Sequence, residues 1–390
     1  MEVYILDSLL RRDRVIDRFE SLIWTERFKA FGDFELTIRS TIESRSLLTT
    51  GTMLAINESY RVMVVETVED GVSSDGKAIL KVSGNSLESI LEDRIAKYST
   101  ANTTTDPTWK ITLPPADVAR LIFKRICIDG VLSPYDKIPY VIEGSIMPGN
   151  TIKEPIDPIS VELEPQSVYQ AITDICNVWS LGFRLLRNFD QSQLYWDVYA
   201  GNDRTTAQTV LPPVVFAPEL DNLQNTTELK SIESAKNVAY VFSPAGFLAV
   251  YAADADSTTA GFDRRVLVVN ATDITSDNAD VQAALLQRGK EELAKNRATQ
   301  AFDGEINQNS QYRYQRDYYL GDVIEMRNVD GVTNQMRVTE QIFVSDKEGE
   351  RSYPTLELNS FITTGSWLSW ESNQEWIDLD PDPKAWADQP

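Results

Sequence analysis

Short runs of alternating apolar and polar residues, each bounded by turn residues, recur along most of the chain. In one run, Phe34, Leu36 and Ile38 share one face of an extended strand, and charged or polar residues share the other. The pair Asp70-Gly71 marks a hairpin between two later runs. Alternation with a period of two is typical of half-buried strands, so the pattern predicts a β-rich chain built from barrels or sandwiches.

Changes in this pattern divide the 390 residues into four parts. We predict a first tube-like β-barrel domain at residues 1–97 and, after a polar linker, an α+β insert domain at 98–213. Strand patterns resume in a second tube-like β-barrel domain at 214–365, with one long helix that begins near Asp277. A Trp-rich, acidic arm occupies 366–390. The predicted fold class is therefore β-rich α+β, with two barrel or sandwich domains flanking an α+β insert and an extended C-terminal tail.

Three helices interrupt the strand pattern. The first follows Pro115, and Ser167 with Gln170 forms a capping box at the start of the second. The long helix carries Gly289 in its interior. Because a mid-helix glycine costs about 1 kcal/mol relative to alanine, this position predicts close packing against another backbone.

The complete lack of histidine constrains the possible chemistry. It removes Ser-His-Asp and Cys-His nucleophile systems and the commonest zinc ligand. A carboxylate pair of the glycosidase type is the catalytic route that composition leaves open. The pairs Glu291-Glu292 and Glu371 with Glu375 are predicted at exposed positions, where raised pKa values are not expected. We therefore predict no enzyme and assign no catalytic residue.

Cofactors and metals are not predicted either. Cys127 and Cys176 have apolar neighbours in helical patterns, which favours buried, reduced thiols. Asp254, Asp256 and Asp263 lack the spacing of a calcium loop and are interpreted as solvated loop acids.

The chain has a formal net charge of −22, from 37 Lys and Arg against 59 Asp and Glu. Stable nucleic-acid binding is not expected, because DNA affinity depends on cations that neutralise phosphates. The charge agrees with two interpretations. It keeps the chain soluble, or it forms a negatively charged channel wall that DNA passes without binding. No signal peptide and no long apolar run is present, so we expect synthesis in the host cytoplasm and no membrane anchor.

Several short motifs resemble a known family when they are taken in order. They are DRFESLIWTER at 17–27, GDFEL at 32–36, GNSLESILEDR at 84–94, YLGDV at 319–323 and RVTE at 337–340. Together they resemble siphophage minor tail proteins of the tail-hub class, which are related to the baseplate hub of contractile-tailed phages. The insert carries no such motif.

The resemblance implies a structural virion protein at the distal tail tip. Three copies would form a homotrimer whose six barrels surround a channel with pseudo-sixfold symmetry. The implied partners are the distal tail protein or tail tube protein on one side and tip or receptor-binding proteins on the other. Tape-measure protein and then DNA would pass through the channel, with DNA passage transient.

Interface residues are predicted at two places. The candidates are Trp24, Arg27, Trp367, Trp370, Trp376 and Trp386. An aromatic residue in a strand such as Trp24 is more often core, whereas Arg27 is expected at the surface or an interface. The tryptophans of the arm predict either a tail folded back on its own domain or an arm docked on a neighbouring subunit.

Two alternative functions are left open by the sequence. A tail-tip peptidoglycan hydrolase is one, although the chain ends soon after the predicted second barrel and leaves no room for an added catalytic domain. A receptor- or carbohydrate-binding tip protein is the other, with the arm's tryptophans as sugar platforms. Gly32 and Gly321 are predicted to serve turns with unusual backbone angles, and Asp322 is predicted to cap a turn.

Overall fold

A computed structural model describes residues 1–73, 76–97, 108–188, 192–276, 280–297, 299–306, 311–327 and 333–358. The N-terminal region is a strand meander with one short helix. Its elements are β1 Val3–Leu6, β2 Arg12–Ile16, β3 Ser21–Arg27, β4 Asp33–Arg39, α1 Ile42–Leu47, β5 Met53–Ile56, β6 Met63–Val72 and β7 Ala78–Ser86, followed by a 3-10 turn at Leu87–Asp93 and β8 Ile95–Ala96.

The middle region is the α+β part of the chain. Its elements are β9 Trp109–Leu113, α2 Pro115–Phe123, β10 Val141–Glu143, β11 Ile159–Leu163, β12 Gln166–Ser167, α3 Val168–Trp179, β13 Gly182–Asn188 and β14 Gln193–Tyr199. At the start of α3, the Ser167 hydroxyl accepts a hydrogen bond from the Gln170 N–H at 3.0 Å. The Gln170 side chain donates to Asp174 instead of returning to the cap, so half of the predicted capping box forms.

The remaining elements return to β structure around one long helix. They are β15 Val215–Phe216, β16 Leu223–Ser231, β17 Val238–Ser243, β18 Gly246–Tyr251, β19 Val266–Asn270, α4 Val281–Lys295, β20 Thr299–Ile306, β21 Val323–Arg327, β22 Thr333–Asp346 and β23 Gly349–Leu358. The α4 helix begins after Asp280, whose carboxylate accepts from the Ala283 N–H at 2.9 Å. Residues 312–316 do not form a strand, and an isolated bridge pairs Tyr314 with Tyr318.

A 13-stranded sheet links the two ends of the described chain. Its order is β16-β20-β23-β22-β3-β4-β7-β6-β5-β1-β2, with β21 pairing with β22 and β15 pairing with β21. The N-terminal and C-terminal strands join where β3 runs antiparallel to β22 and Trp24 lies opposite Phe343. The β-rich fold class is confirmed. The two strand-rich regions are continuous through this sheet, and their division into two tube-like barrels stays a prediction.

Trp24 lies at the centre of the N-terminal core. Its side chain is fully buried, as are those of Leu22 and Leu36. The ring is 6.1 Å from that of Phe34, and Phe343 of β22 belongs to the same cluster. The strands β3 and β22, which join the two regions, therefore contribute side chains to one shared apolar core.

The strands β17 to β19 form a small sheet of their own, in the order β18-β17-β19. The sequence places them in the second barrel domain, and that domain assignment stays a prediction. With α4 they enclose a separate core that includes Val241, Val250 and Leu285. This lobe, at residues 232–297, is inserted between β16 and β20, whose last and first residues pair as Ser231 with Thr299.

Gly289 explains how α4 packs. A Cβ at this position would lie 2.4 Å from Val250 Cγ2 and 3.1 Å from Val241 Cγ2. Close packing was predicted correctly, but the neighbours are strand side chains and not a backbone.

Candidate functional site

A buried ion pair lies where the N-terminal strands meet the insert. The side chains of Arg61 and Glu88 are 2% and 0% exposed, and Arg61 Nη1 lies 3.0 Å from Glu88 Oε1. The same oxygen accepts a hydrogen bond from the Leu185 N–H of β13 at 2.9 Å. Arg61 also donates to the Arg27 carbonyl at 2.6 Å. The Arg61–Glu88 pair therefore ties β3, the 3-10 turn and the insert together.

A second carboxylate, Glu26, belongs to the same cluster. It accepts hydrogen bonds from the Ser59 hydroxyl and, at 2.7 Å, from the Tyr314 hydroxyl. Burial raises the pKa of Glu26 above its ordinary value, and the positive charge of Arg61 opposes that rise. Because Tyr314 belongs to the C-terminal region, three separate parts of the sequence meet here. We refer to Glu26, Arg61, Glu88 and Tyr314 as the polar junction.

Asp322 anchors a neighbouring contact between the insert and the C-terminal region. Its carboxylate lies 2.8 Å from Arg204 Nε and accepts from the Asn202 N–H at 2.9 Å. It also accepts from the Tyr319 N–H at 3.1 Å, the turn cap that the sequence predicts. Burial raises the Asp322 pKa, and Arg204 counters the effect. The buried partner Arg204 was missed, because no local pattern connects residues 118 positions apart.

Phe28 fills the space between these two polar contacts. A Cβ at Gly182 would lie 2.1 Å from its ring, and one at Gly321 would lie 2.5 Å from it. The Tyr199 ring meets it edge-on at 5.1 Å. Gly321 has φ +86°, which agrees with the predicted unusual turn. Gly32 is needed for a different reason, since a Cβ there would meet the Thr25 carbonyl oxygen at 2.1 Å.

The two interface candidates on β3 lie in different environments. Trp24 is fully buried, so it is not available to a neighbouring molecule. Arg27 is 31% exposed and is paired with Asp33 at 2.8 Å and with Glu340 at 2.6 Å. It links β3 to β22 within one chain and still presents part of its surface. The other candidates, Trp367, Trp370, Trp376 and Trp386, lie outside the described residues, as do Glu371 and Glu375.

A cavity of about 360 Å³ lies between the insert and the lobe. Its charged lining consists of Glu162, Glu164, Asp174, Asp273, Arg288, Glu291, Glu292 and Lys295. Burial raises the pKa of Glu291 to about 7. The prediction that Glu291 sits at an exposed position with an ordinary pKa is therefore wrong. Its helical position was clear from the sequence, but the covering surface comes from α3 and β11, more than a hundred residues away.

The two thiols and the loop carboxylate of Asp256 lie in different environments. Cys127 and Cys176 are buried, and burial raises the pKa of each thiol to about 12. Asp256 lies in an exposed loop, and the Thr258 hydroxyl holds its pKa below the usual range. Within the described ranges, no group of three or more acidic or cysteine side chains could hold a metal ion.

Comparison with known families decides the identity of the chain. A family model described as "Siphovirus ReqiPepy6 Gp37-like protein" matches residues 2–356. The chain belongs to this family. The resemblance to siphophage tail proteins, inferred from five short motifs, is thereby confirmed.

Solved structures of other proteins share the fold of this chain. One is the tail protein from Neisseria meningitidis MC58, with 15% identity, a TM-score of 0.55, and 92% of this chain and 96% of that chain covered. Another is the 43 kDa tail protein of prophage MuSo2 from Shewanella oneidensis, with 13% identity, a TM-score of 0.54, and coverage of 91% and 98%. Identities this low establish a common fold. The comparison with curated protein sequences gave no match.

In the part of the chain that the structure describes, no helix combines the length and the apolar character required to cross a bilayer.

Proposed function

We propose that this chain is a structural subunit of a siphophage tail, and that three copies form a hub with pseudo-sixfold symmetry at the distal tip. The observation that carries the proposal is the family match over residues 2–356. A fold shared over more than nine-tenths of the chain with two proteins described as tail proteins supports it.

The 13-stranded sheet, which includes strands of both strand-rich regions, supports a structural role. A hub subunit has to hold its two strand-rich regions in a fixed relation while neighbouring proteins attach at both ends. Here β3 pairs with β22, and the polar junction adds Arg61, Glu88 and Tyr314 beneath them. Buried, well-packed contacts of this kind resist shear better than a flexible linker does. Each region would supply one of the six barrel positions around the channel.

The proposed partners follow from this position. One end of the hub would join the distal tail protein or tail tube protein, and the other would hold tip or receptor-binding proteins. Tape-measure protein and then DNA would pass through the channel. The net charge of −22 supports a channel past which DNA moves without stable binding.

Mass photometry of the purified 44.0 kDa chain tests the assembly. We expect a species of three times the monomer mass, either free in solution or after addition of the distal tail protein. A density map of the tail tip should then show this chain repeated around the tail axis. A map with single copies decorating the outside of the tail would contradict the proposal.

Deletion of residues 366–390 tests the arm separately. We expect the trimer to be lost while the far-UV circular dichroism of the remaining chain is unchanged. Loss of binding to host cells or glycans, with the trimer retained, would instead favour the receptor-binding alternative.

One observation favours the hydrolase alternative. A carboxyl group with a pKa near 7 in a cavity is what a general acid requires, and Glu291 meets that description. However, Lys295 bridges the adjacent carboxylates of Asp174 and Glu292 at 3.2 and 3.0 Å, as in a structural ion network. A zymogram decides between the two, and we expect no lysis of cell walls by the wild-type chain. Lysis that disappears in Glu291→Gln would establish the hydrolase.

A further inference from the structure

The lobe is attached to the rest of the chain by two strands. It begins after Ser231 of β16 and ends before Thr299 of β20, and these two residues pair with one another. Its apolar core is a cluster distinct from the core of the insert. A module with its own core on a two-stranded neck can change its position without unfolding.

Polar contacts hold the lobe against α3. Lys295 Nζ lies 3.2 Å from an Asp174 carboxylate oxygen, and Arg297 donates to the Asn177 carbonyl at 2.7 Å. Lys290 Nζ lies 5.6 Å from the centre of the Trp179 ring. Behind these contacts is the cavity of about 360 Å³. We refer to this contact between α3 and α4 as the seam.

We propose that the lobe docks reversibly against α3, and that protonation of Glu291 favours the docked position. The side chain of Glu291 is only 14% exposed when the lobe is docked. Undocking would return it to water, where the charged carboxylate is well solvated. The docked and undocked positions therefore differ in how well they accept the negative charge.

The groups that face Glu291 do not neutralise it. On α4 itself, Gln287 donates a hydrogen bond to its carboxylate at 3.0 Å, and Arg288 lies 3.9 Å away. Arg288 is already engaged with Asp273 at 2.6 Å, in the segment before α4. Lys295 is shared between Asp174 of α3 and Glu292 of α4.

The lining from β11 adds further negative charge, from Glu162 and Glu164. The lining of the cavity therefore carries six carboxylates and two cations. Burial is the main reason that the pKa of Glu291 rises to about 7 from its ordinary value of 4.5, and Asp174 raises it further.

The direction of the pH effect follows from linkage. The docked state binds the proton more tightly, so it gains stability relative to the undocked state as the pH falls. That gain is complete below the ordinary pKa of 4.5 and is lost as the pH rises through about 7. The seam should therefore be tightest in mildly acidic solution and loosest above neutral pH.

A buried cysteine placed at the seam measures the opening. Ala171 lies on α3, is fully buried and lines the cavity. The labelling rate of Ala171→Cys would be divided, at each pH, by that of an exposed Ser46→Cys reference to remove the ordinary pH dependence of thiolate reactivity. We expect this ratio to rise on the order of tenfold to a hundredfold between about pH 5.5 and about pH 8.5.

Two variants make the test specific. Glu291→Gln cannot titrate, so in that background the ratio should stay constant with pH. Glu292→Gln, the same change at the adjacent position, should keep the pH dependence even if it alters the labelling rate. A constant ratio in the wild-type background, or a rise that persists in Glu291→Gln, would overturn the proposal.

Amide hydrogen exchange of the unaltered chain provides a second measurement, which does not depend on Ala171→Cys folding. Protection factors for α3 residues 170–175 should fall across the same pH range in the wild type and stay level in Glu291→Gln. Equal protection at both pH values in the wild type would also reject a pH-controlled seam.

Discussion

At the scale of single residues, the polar junction holds the charged side chains of Glu26, Arg61 and Glu88 in the protein interior, where water does not compete for their interactions. Arg61 is the cation shared by Glu26 and Glu88, and both of its partners are buried. Removing one member of a buried ion pair leaves the other charge uncompensated, which is costly even where the intact pair adds little net stability.

Arg61→Met should therefore lower the free energy of unfolding by roughly 3–5 kcal/mol, measured by chemical denaturation. The loss should be larger at pH 8 than at pH 5. Arg61 holds down the pKa of Glu26, so without it that pKa rises further, and the uncompensated Glu26 carboxylate takes up a proton as the pH falls. Lys81→Met, which removes an exposed pair with Glu35, serves as the control and should leave the midpoint unchanged. Equal losses in the two variants would contradict this account of the junction.

Substitutions at two glycines that have the same backbone φ angle distinguish the cost of backbone strain from the cost of a steric clash. Gly51 and Gly321 both have φ +86°. A Cβ at Gly51 meets nothing within 4 Å, whereas one at Gly321 meets the enclosed ring of Phe28. Gly51→Ala should cost about 1 kcal/mol from the left-handed conformation alone. Gly321→Ala should cost roughly 1–3 kcal/mol more, because Phe28 has no space into which to move. Thermal or denaturant unfolding measures both, and similar losses would show that Phe28 yields easily.

At the scale of elements, the lobe should respond to mutation as a separate unit. Gly289→Ala gains about 1 kcal/mol of helix propensity. It also forces a methyl group to within 2.4 Å of Val250, in a sheet that has its own core. Overpacking of this kind costs roughly 1–3 kcal/mol, so we expect a net loss. Hydrogen exchange should show weaker protection in β17 to β19 and α4 and no change in β3 or β22.

A second substitution provides the matching control. Val250→Ala removes the methyl groups that the new Cβ would meet, so Gly289→Ala should be less harmful in a Val250→Ala background than in the wild type. Purely additive effects would mean that the contact with Val250 does not determine the loss.

The sequence predicts the positions of individual helices and strands better than it predicts which elements pair or pack with one another. Alternation at Phe34 and Leu36 identified β4, and the capping oxygen of Ser167 located the start of α3. Alternation reports which face of a strand is buried but not which sheet the strand joins. For that reason the sequence did not predict that β17 to β19 form a sheet of their own.

The site residues were harder to predict for a related reason. The raised pKa of Glu291 and the pairing of Arg204 with Asp322 arise from surfaces that come together only in the folded chain. Lack of histidine and the acidic composition, by contrast, could be read directly from the sequence. The family could be inferred because five motifs along the sequence were compared together, and these motifs lie mainly in strands and turns of the fold.

At the scale of the whole molecule, the formal charge of −22 should influence assembly. Copies of an acidic chain repel one another, and added salt screens that repulsion. We expect the trimer fraction, measured by mass photometry at fixed protein concentration, to rise between about 0.05 M and about 0.5 M NaCl, as the Debye length shortens. A trimer that dissociates on adding salt would instead indicate an interface held by opposite charges.

The pairing of β3 with β22 also affects how the chain folds during its synthesis. Arg27 and its partner Glu340 are 313 positions apart, so β3 leaves the ribosome long before the strand that completes it. At bacterial translation rates this delay is roughly 15–60 s, during which one side of β3 lacks its hydrogen-bonding neighbour. Nascent chains that are cut short or stalled in this interval would present an open edge to one another and aggregate. Phage-infected cells would therefore benefit from chaperones that bind the unfinished chain until its last strands are made.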